Sequence, residues 1–285
     1  MPSSDRPPTV GSALARLRQF ARAWKVDVGL VVHAPVSLVA YGLCGDRPVA
    51  LKVLKEPGDE WWSGEVASAF DARGMVRVYE HAGGAMLLER LRPGQPLTRM
   101  AIGESDEQAT SILACVVAAM SPGPPPRHSP SVEQWVDGFD RYALSGDRRI
   151  ESELVATARD VFVDLAESQR DTRLLHGDLQ HSNVLLDADR GWVAIDPKGV
   201  VGEVEYELGA MLRNPAERPD LFTEPQTIER RVDQLASELR LDRRRIVGWA
   251  FAQAVLSAIW EIEDGGSSGP DHPSLVLARA LRAMR

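Results

Sequence analysis

Apolar residues recur along this chain at two different periods, and the change of period divides it. Between Val26 and Leu91 they come as short, β-rich runs. From Ser105 onward they return every three or four residues, the spacing of a helix that buries one face. The first segment is an exception: residues 11–24 set Leu14, Leu17, Phe20, Ala21 and Trp24 at helical spacing and predict an amphipathic helix. Strands are predicted over 26–32, 35–41, 48–54, 76–80 and 85–91, with a turn at 42–47 and a helix over 61–71 that faces Val66, Ala69 and Phe70 inward. Arg92-Pro93-Gly94 closes the strand region.

Helices are then predicted over 105–120, 131–144, 150–167, from 205 to 212, and over 225–239, 242–262 and 273–284. Ser105 followed by Gln108 reads as a capping box for the first of these. Two segments interrupt the helical pattern. Residues 121–130, SPGPPPRHSP, carry five prolines and predict a stiff, exposed connector in which His128 is simply solvated. Residues 174–202 contain two short apolar runs, Val184 to Leu186 and Trp192 to Ile195, joined by the turn DADRG: a β-hairpin. No repeat of 20–50 residues is present. Strands first, helices after and one inserted hairpin predict an α+β protein of two lobes.

The inserted hairpin is where chemistry concentrates. His176-Gly177-Asp178 precedes it, Asn183 stands just before its first strand, and Asp196 just after its second. Asn183 and Asp196 should therefore lie side by side, with Asp178 on the loop leading in. Phosphoryl transfer needs a carboxylate to orient the attacking hydroxyl and oxygen ligands for a hard cation on the nucleotide phosphates. HGDxxxxN, an apolar run and a second Asp form a kinase-type catalytic loop with a metal-binding Asp. Each piece alone is a common turn or cap; their order and spacing together make the pattern specific.

HGDLxxxNVL followed by GWVAIDPKG resembles the aminoglycoside phosphotransferases. The IDPKGxxGE wording from Ile195 to Glu203 is most similar to their streptomycin 6-phosphotransferase and hydroxyurea phosphotransferase branch. The resemblance implies a protein-kinase-like fold: a β-rich nucleotide-binding lobe over 1–91, a hinge near 89–94 and a helical catalytic and substrate lobe over 92–285. It implies ATP and Mg2+, Asp178 as the catalytic carboxylate, and Asn183 and Asp196 as metal ligands. Lys52, in VALKV on the third strand, would hold phosphate oxygens, oriented by Glu65, with Glu60 the other candidate. Lys55 falls on the opposite strand face from Lys52. The phosphate loop would be 34–38, with Ser37 facing the phosphates, and backbone groups at Glu89 and Leu91 would read the adenine edge. His176 would brace the loop, and Lys198 would meet the γ-phosphate, the acceptor or a local ion-pair partner.

The implied acceptor is a cationic aminoglycoside, best matched by the 6-hydroxyl of streptomycin. Glu203, Glu205, Glu207, Glu261, Glu263, Asp264 and Trp260 are the candidate substrate-binding residues. Glu207 also stands where related kinases often carry an Asp tying a helix start to the catalytic loop; its extra methylene argues against that tie. A kinase of another small metabolite, or a non-catalytic nucleotide-binding relative, would share the scaffold. The latter would be marked by loss of Asp178, Asn183 or Asp196, and all three are present.

Composition narrows the partners. The 285 residues carry 33 basic and 41 acidic side chains, net −8, which argues against a nucleic-acid partner and suits a cationic small molecule. No apolar run reaches the roughly 18 residues needed to span a membrane. The start, MPSSDRPPTVGS, lacks a signal-peptide pattern, so a frayed cytoplasmic N-terminus is expected. Cys44 and Cys115 form no disulfide framework or zinc pattern and are expected to be small buried hydrophobes.

Overall fold

The computed structural model describes residues 12–103 and 105–285, so the frayed start read over the first residues lies outside it up to Gly11. The first helix, α1 (Ala13–Ala23), is capped by the Ser12 hydroxyl, which accepts the Ala15 amide. It buries Leu17 and Ala21 against a five-stranded antiparallel sheet. That sheet is built from β1 (Val26–His33), β2 (Ser37–Cys44), β3 (Arg47–Leu54), β4 (Val78–Ala82) and β5 (Ala85–Glu89), in the order β1-β2-β3-β5-β4. Alternation gives it two faces. Leu38, Ala40, Leu51 and Val53 lie under α1. Val32, Val39, Lys52 and Met86 are register partners and so share the opposite face. Val66, Ala67 and Phe70, from or just beyond α2 (Ser63–Ala69), pack on that side with Ala50 and Leu88.

Two sequence expectations change here. The helix read over 61–71 is a 3-10 turn, Asp59–Trp62, followed by the shorter α2. The strand read over 76–80 starts only at Val78, because Val76 turns away and donates its amide to the Ala194 carbonyl at 2.8 Å.

Beyond the sheet, β6 (Pro93–Pro96) leads into α3 (Thr98–Ala101), α4 (Asp106–Ala119), α5 (Val136–Ser145) and α6 (Ser152–Glu167). The chain then forms β7 (Arg173–Leu175), the hairpin β8 (Val184–Asp187) and β9 (Gly191–Ala194), and β10 (Val200–Gly202). The hairpin pairs Val184 with Ala194 and Leu186 with Trp192, and β6 adds to its edge. β10 pairs with β7, closing the loop that carries the polar cluster. The last helices are α7 (Val204–Leu212), α8 (Pro219–Thr223), α9 (Pro225–Leu239), α10 (Arg243–Glu263) and α11 (Pro273–Ala283).

α10 is apolar on every side and packs against α5, α6, α7, α9 and α11, with Trp249 and Phe251 fully buried. Its length and composition would suffice to cross a membrane, yet 78% of its apolar window is buried inside the protein; it is the centre of the core. One core cluster runs without a break from Ala50 and Met86 of the sheet to Leu281 of α11. The capping box read at Ser105 does not form: the Ser105 side chain caps nothing. Its neighbour Asp106 is held instead by the buried Arg231 of α9, at 2.5 Å. Cys44 and Cys115 are free thiols, the first half-buried and the second exposed rather than buried as expected.

Candidate active site

The loop from β7 to β8 is shaped by three contacts. Gly177 adopts φ +81°, a left-handed conformation open to glycine without strain. His176, fully buried, sets its Nε2 2.8 Å from the Ile195 carbonyl. Donation there leaves Nδ1 to accept the Asp178 amide at 3.2 Å. The one imidazole thus links the Asp178 loop to the strand end that carries Asp196. Asn183 donates its Nδ2 to the Asp178 carbonyl at 2.9 Å, which fixes the amide and leaves its Oδ1 as an acceptor.

Glu207 completes the loop. It is 3% exposed on α7 and accepts the amides of Gly177, at 3.1 and 3.2 Å, and Leu179, at 3.3 Å. Its extra methylene does not prevent the tie that the sequence argued against: Glu207 sits behind the loop and is not part of the larger cavity's lining. Burial pushes its pKa up, opposed by the amides and by His176. Glu203 likewise lines neither hollow described below. It is 1% exposed and occupied by Arg245 at 2.6 Å, by the Trp249 indole and by the Arg170 amide at 3.1 Å. Glu205 is half-buried, and burial raises its pKa.

Asp196 sits at φ +58°, an uncommon backbone for a residue other than glycine. Its carboxylate lies 2.9 Å from the Lys52 ammonium, which Glu60 also contacts at 3.0 Å. Burial alone would lower the Lys52 pKa; the two carboxylates outweigh it, so the lysine stays charged. The partner of Lys52 is therefore Glu60 and not Glu65. The 3-10 turn swings Glu60 back toward β3, whereas Glu65, half-buried in the first turn of α2, makes no ion pair among the described residues.

Lys55, one residue past the end of β3, turns to the loop before β2. Its ammonium holds the carbonyls of Ala34 and Pro35 at 2.7 and 2.8 Å, bracing the turn before β2. Ser37 opens β2 opposite Leu54, on the Lys52 face, and is 2% exposed. At the far end of the sheet, Glu89 accepts the Arg77 amide at 2.7 Å and pairs with Arg190 from the hairpin turn. The Leu91 amide has no partner among the described residues.

Two hollows meet at this site. One, of about 480 Å³, is lined by Val36, Lys55 and Glu60. The other, of about 930 Å³, is lined by Asp178, Tyr206, Trp135 and the end of α10. Lys198 lines both, and its ammonium is 3.5 Å from the Asp178 carboxylate. Of the candidate substrate residues, Trp260, Glu261, Glu263 and Asp264 line the larger cavity. Trp260 meets Trp135 edge-on at 5.7 Å. Glu261 pairs with His272 at 2.7 Å and Glu263 with Arg141 at 3.1 Å; Asp264 has no ion-pair partner among the described residues. Trp62, His128, Tyr206 and Trp135 escaped the sequence reading as cavity residues, since no motif or period marks them. Asp178 and Lys198 thus stand where the hollows meet, Glu60 on the smaller one holds the Lys52–Asp196 pair, and Asn183 is tied to the Asp178 backbone, an arrangement that suits transfer of a phosphoryl group between the two hollows.

A family described as aminoglycoside/hydroxyurea antibiotic resistance kinase matches residues 24–265. The Streptomycin 3''-kinase of Klebsiella pneumoniae is 34% identical over 235 residues, which cover 78% of this chain and 82% of that protein. The Streptomycin 6-kinase of Streptomyces griseus is 31% identical over 256 residues, covering 83% and 78%. The crystal structure of aminoglycoside phosphotransferase APH(4)-Ia aligns with a TM-score of 0.62 over 96% of this chain and all of that one (100%), at 16% identity. That likeness is one of fold: a sheet lobe followed by a helical lobe, as in protein kinases.

Proposed function

Because the chain belongs to the aminoglycoside/hydroxyurea antibiotic resistance kinases, we propose that it inactivates an aminoglycoside by moving the γ-phosphoryl group of ATP onto one hydroxyl, the 6-hydroxyl of streptomycin. The chain is a phosphotransferase with an alcohol acceptor; the choice of acceptor is the proposal. The observation that carries it is the placing of Asp178 on the wall of the 930 Å³ cavity, with Lys198 at the opening toward the smaller hollow. The acceptor occupies the larger cavity and the triphosphate tail the smaller.

Asp178 orients the acceptor hydroxyl and takes its proton late, because an alcohol needs little activation in a loose transition state. Lys52, steadied by Glu60, holds phosphate oxygens; Lys198 meets the γ-phosphate. Ser37 and the amides beside it line the phosphate end, and backbone groups at Glu89 and Leu91, at a hinge near 89–94 between lobes 1–91 and 92–285, meet the adenine. Trp260, Glu261 and Asp264 face the cationic acceptor.

Asn183 Oδ1 and the Asp196 carboxylate would hold magnesium. No group of three or more His, Cys, Asp or Glu is placed to hold a metal ion among the described residues. Two oxygen ligands still fit an ion that keeps its waters and binds chiefly to phosphate. When bound it neutralises phosphate charge. Neither a nucleic acid nor a membrane is a partner in this reading, and the cytoplasm, where ATP is abundant, is its place of action.

The 34% identical relative named for the 3'' position supports a second reading, in which the same site phosphorylates that hydroxyl. The test is magnesium-dependent ATP consumption with streptomycin, with the phosphorylated position read by NMR. Turnover that requires streptomycin and is lost in Asp178→Ala supports the assignment. ATP binding with no turnover on any aminoglycoside overturns it.

A further inference from the structure

Three consecutive side chains of the 3-10 turn meet three different fates. Glu60 holds Lys52. Trp61 is buried, covered by the Arg16 guanidinium at 4.7 Å and pressed on Gly84, where an added Cβ would come within 2.4 Å of the indole. Trp62 is left 38% exposed and lies on the larger cavity. There it stacks on His128, ring centroids 4.2 Å apart and planes 10° from parallel. His128 belongs to the proline-rich connector of the other lobe and lines the same cavity.

Neither ring is loosely hung. Trp61 anchors the turn that carries Trp62. The connector is pinned at both ends, by the Gly123 amide on the Ala69 carbonyl at 2.7 Å and the Val201 amide on the Pro130 carbonyl at 2.8 Å. Its prolines restrict the backbone between those pins. The stack therefore bridges the two lobes at the cavity that also holds Asp178, Trp260 and Asp264, a carboxylate with no ion-pair partner among the described residues.

We propose that Trp62 and His128 form an acceptor-binding wall that spans the lobes, so that the nucleotide lobe takes part in recognising the acceptor. This rests on the acceptor reading above and adds two residues to it. The ligand class is a cationic, ring-bearing molecule, whose charge favours aromatic faces backed by carboxylates. Because one of the two rings moves with the lobe that carries Lys52, binding of nucleotide and of acceptor is coupled, and by linkage the coupling is reciprocal.

The experiment measures streptomycin binding by calorimetry, with and without AMP-PNP and Mg2+, in the wild type, Trp62→Ala, Trp62→Phe and His128→Ala. Trp62→Ala and His128→Ala are each expected to raise the streptomycin Kd by about tenfold. Both should also abolish its tightening by AMP-PNP, while the AMP-PNP Kd and the melting temperature stay unchanged. Trp62→Phe, which keeps a ring, should retain most of the affinity. An unchanged streptomycin Kd in both alanine variants overturns the inference, as does a wild type that binds no streptomycin. The functional reading fails separately, on binding without turnover. His128 is exposed, so its variant reports on the wall even if Trp62→Ala proves unstable.

Discussion

Glu207 accepts the Gly177 amide with both of its carboxylate oxygens, at 3.1 and 3.2 Å. One of those oxygens also takes the Leu179 amide, so α7 splints the loop on either side of Asp178. Loss of the splint should misplace Asp178 by a fraction of its side-chain length without touching the acceptor cavity. Glu207→Ala is expected to lower kcat by about a hundredfold, the cost of misplacing a catalytic group by roughly 1 Å. The streptomycin KM should hardly move, and steady-state kinetics separate the two. A raised KM with kcat intact would put Glu207 on the acceptor after all.

Glu60 and Glu65 make opposite predictions. Lys52 shares itself between Glu60 and Asp196, so removing Glu60 leaves the lysine to Asp196 alone. Asp196 is the carboxylate proposed for magnesium, and a tighter Lys52–Asp196 pair competes with the ion. Glu60→Gln should cut kcat/KM for ATP by about 10- to 100-fold, the range for a lost hydrogen bond to a charged group. It should also raise the magnesium concentration needed for half-maximal rate. Glu65→Gln should behave like the wild type. Magnesium titrations of the two variants distinguish them, and equal defects in both would contradict the geometry.

Glu203 is predicted to matter for folding and not for acceptor choice. Arg245, its ion-pair partner, is only 12% exposed at its side chain. Glu203→Ala leaves that cation without its partner and the Trp249 indole without an acceptor. The expected cost is about 3–5 kcal/mol of stability, read from urea unfolding. Residual folded enzyme should keep the wild-type preference among aminoglycosides; a changed preference would return Glu203 to the substrate site.

What could be read in advance was local. The hairpin from Val184 to Ala194 was legible because a turn sequence separates two apolar runs, and its closure brings Asn183 and Ile195 together through a 2.8 Å amide–carbonyl bond. Lys52 was legible from its place on a short apolar strand. Glu60 was named only as the second candidate behind Glu65, because an apolar pattern over 61–71 cannot reveal that a 3-10 turn precedes the helix and points Glu60 back at Lys52. Glu203 and Glu207 were both candidate acceptor ligands as acids near a motif, and the tie that Glu207 makes was weighed and set aside on side-chain length. Their burial is decided by Arg245 and Trp249 in one case and by loop amides in the other, partners that lie 28 to 46 positions away in sequence. His128 sits among prolines that predict exposure, and exposure is what the structure has; the tryptophan stacked on it comes from the 3-10 turn Asp59–Trp62, 66 positions earlier in the chain.

His181, between Asp178 and Asn183 on the same loop, gives a prediction about pH. It is 1% exposed, and neither ring nitrogen has a partner among the described residues. Burial first, and then the positive charge of Arg231, push its pKa down to about 3, with Asp106 opposing. The folded protein keeps this imidazole neutral, while the unfolded chain protonates it below about pH 6.5. Between those values the unfolded state binds more protons, so stability from this group is complete above about pH 6.5 and is lost as pH falls toward the folded value. The slope approaches about 1.4 kcal/mol per pH unit where the unfolded histidine is charged and the folded one is not. His181→Gln removes the titration. Urea midpoints measured from about pH 7 down to about pH 4.5 should fall more steeply for the wild type than for the variant; parallel curves would mean that His181 is protonated in place.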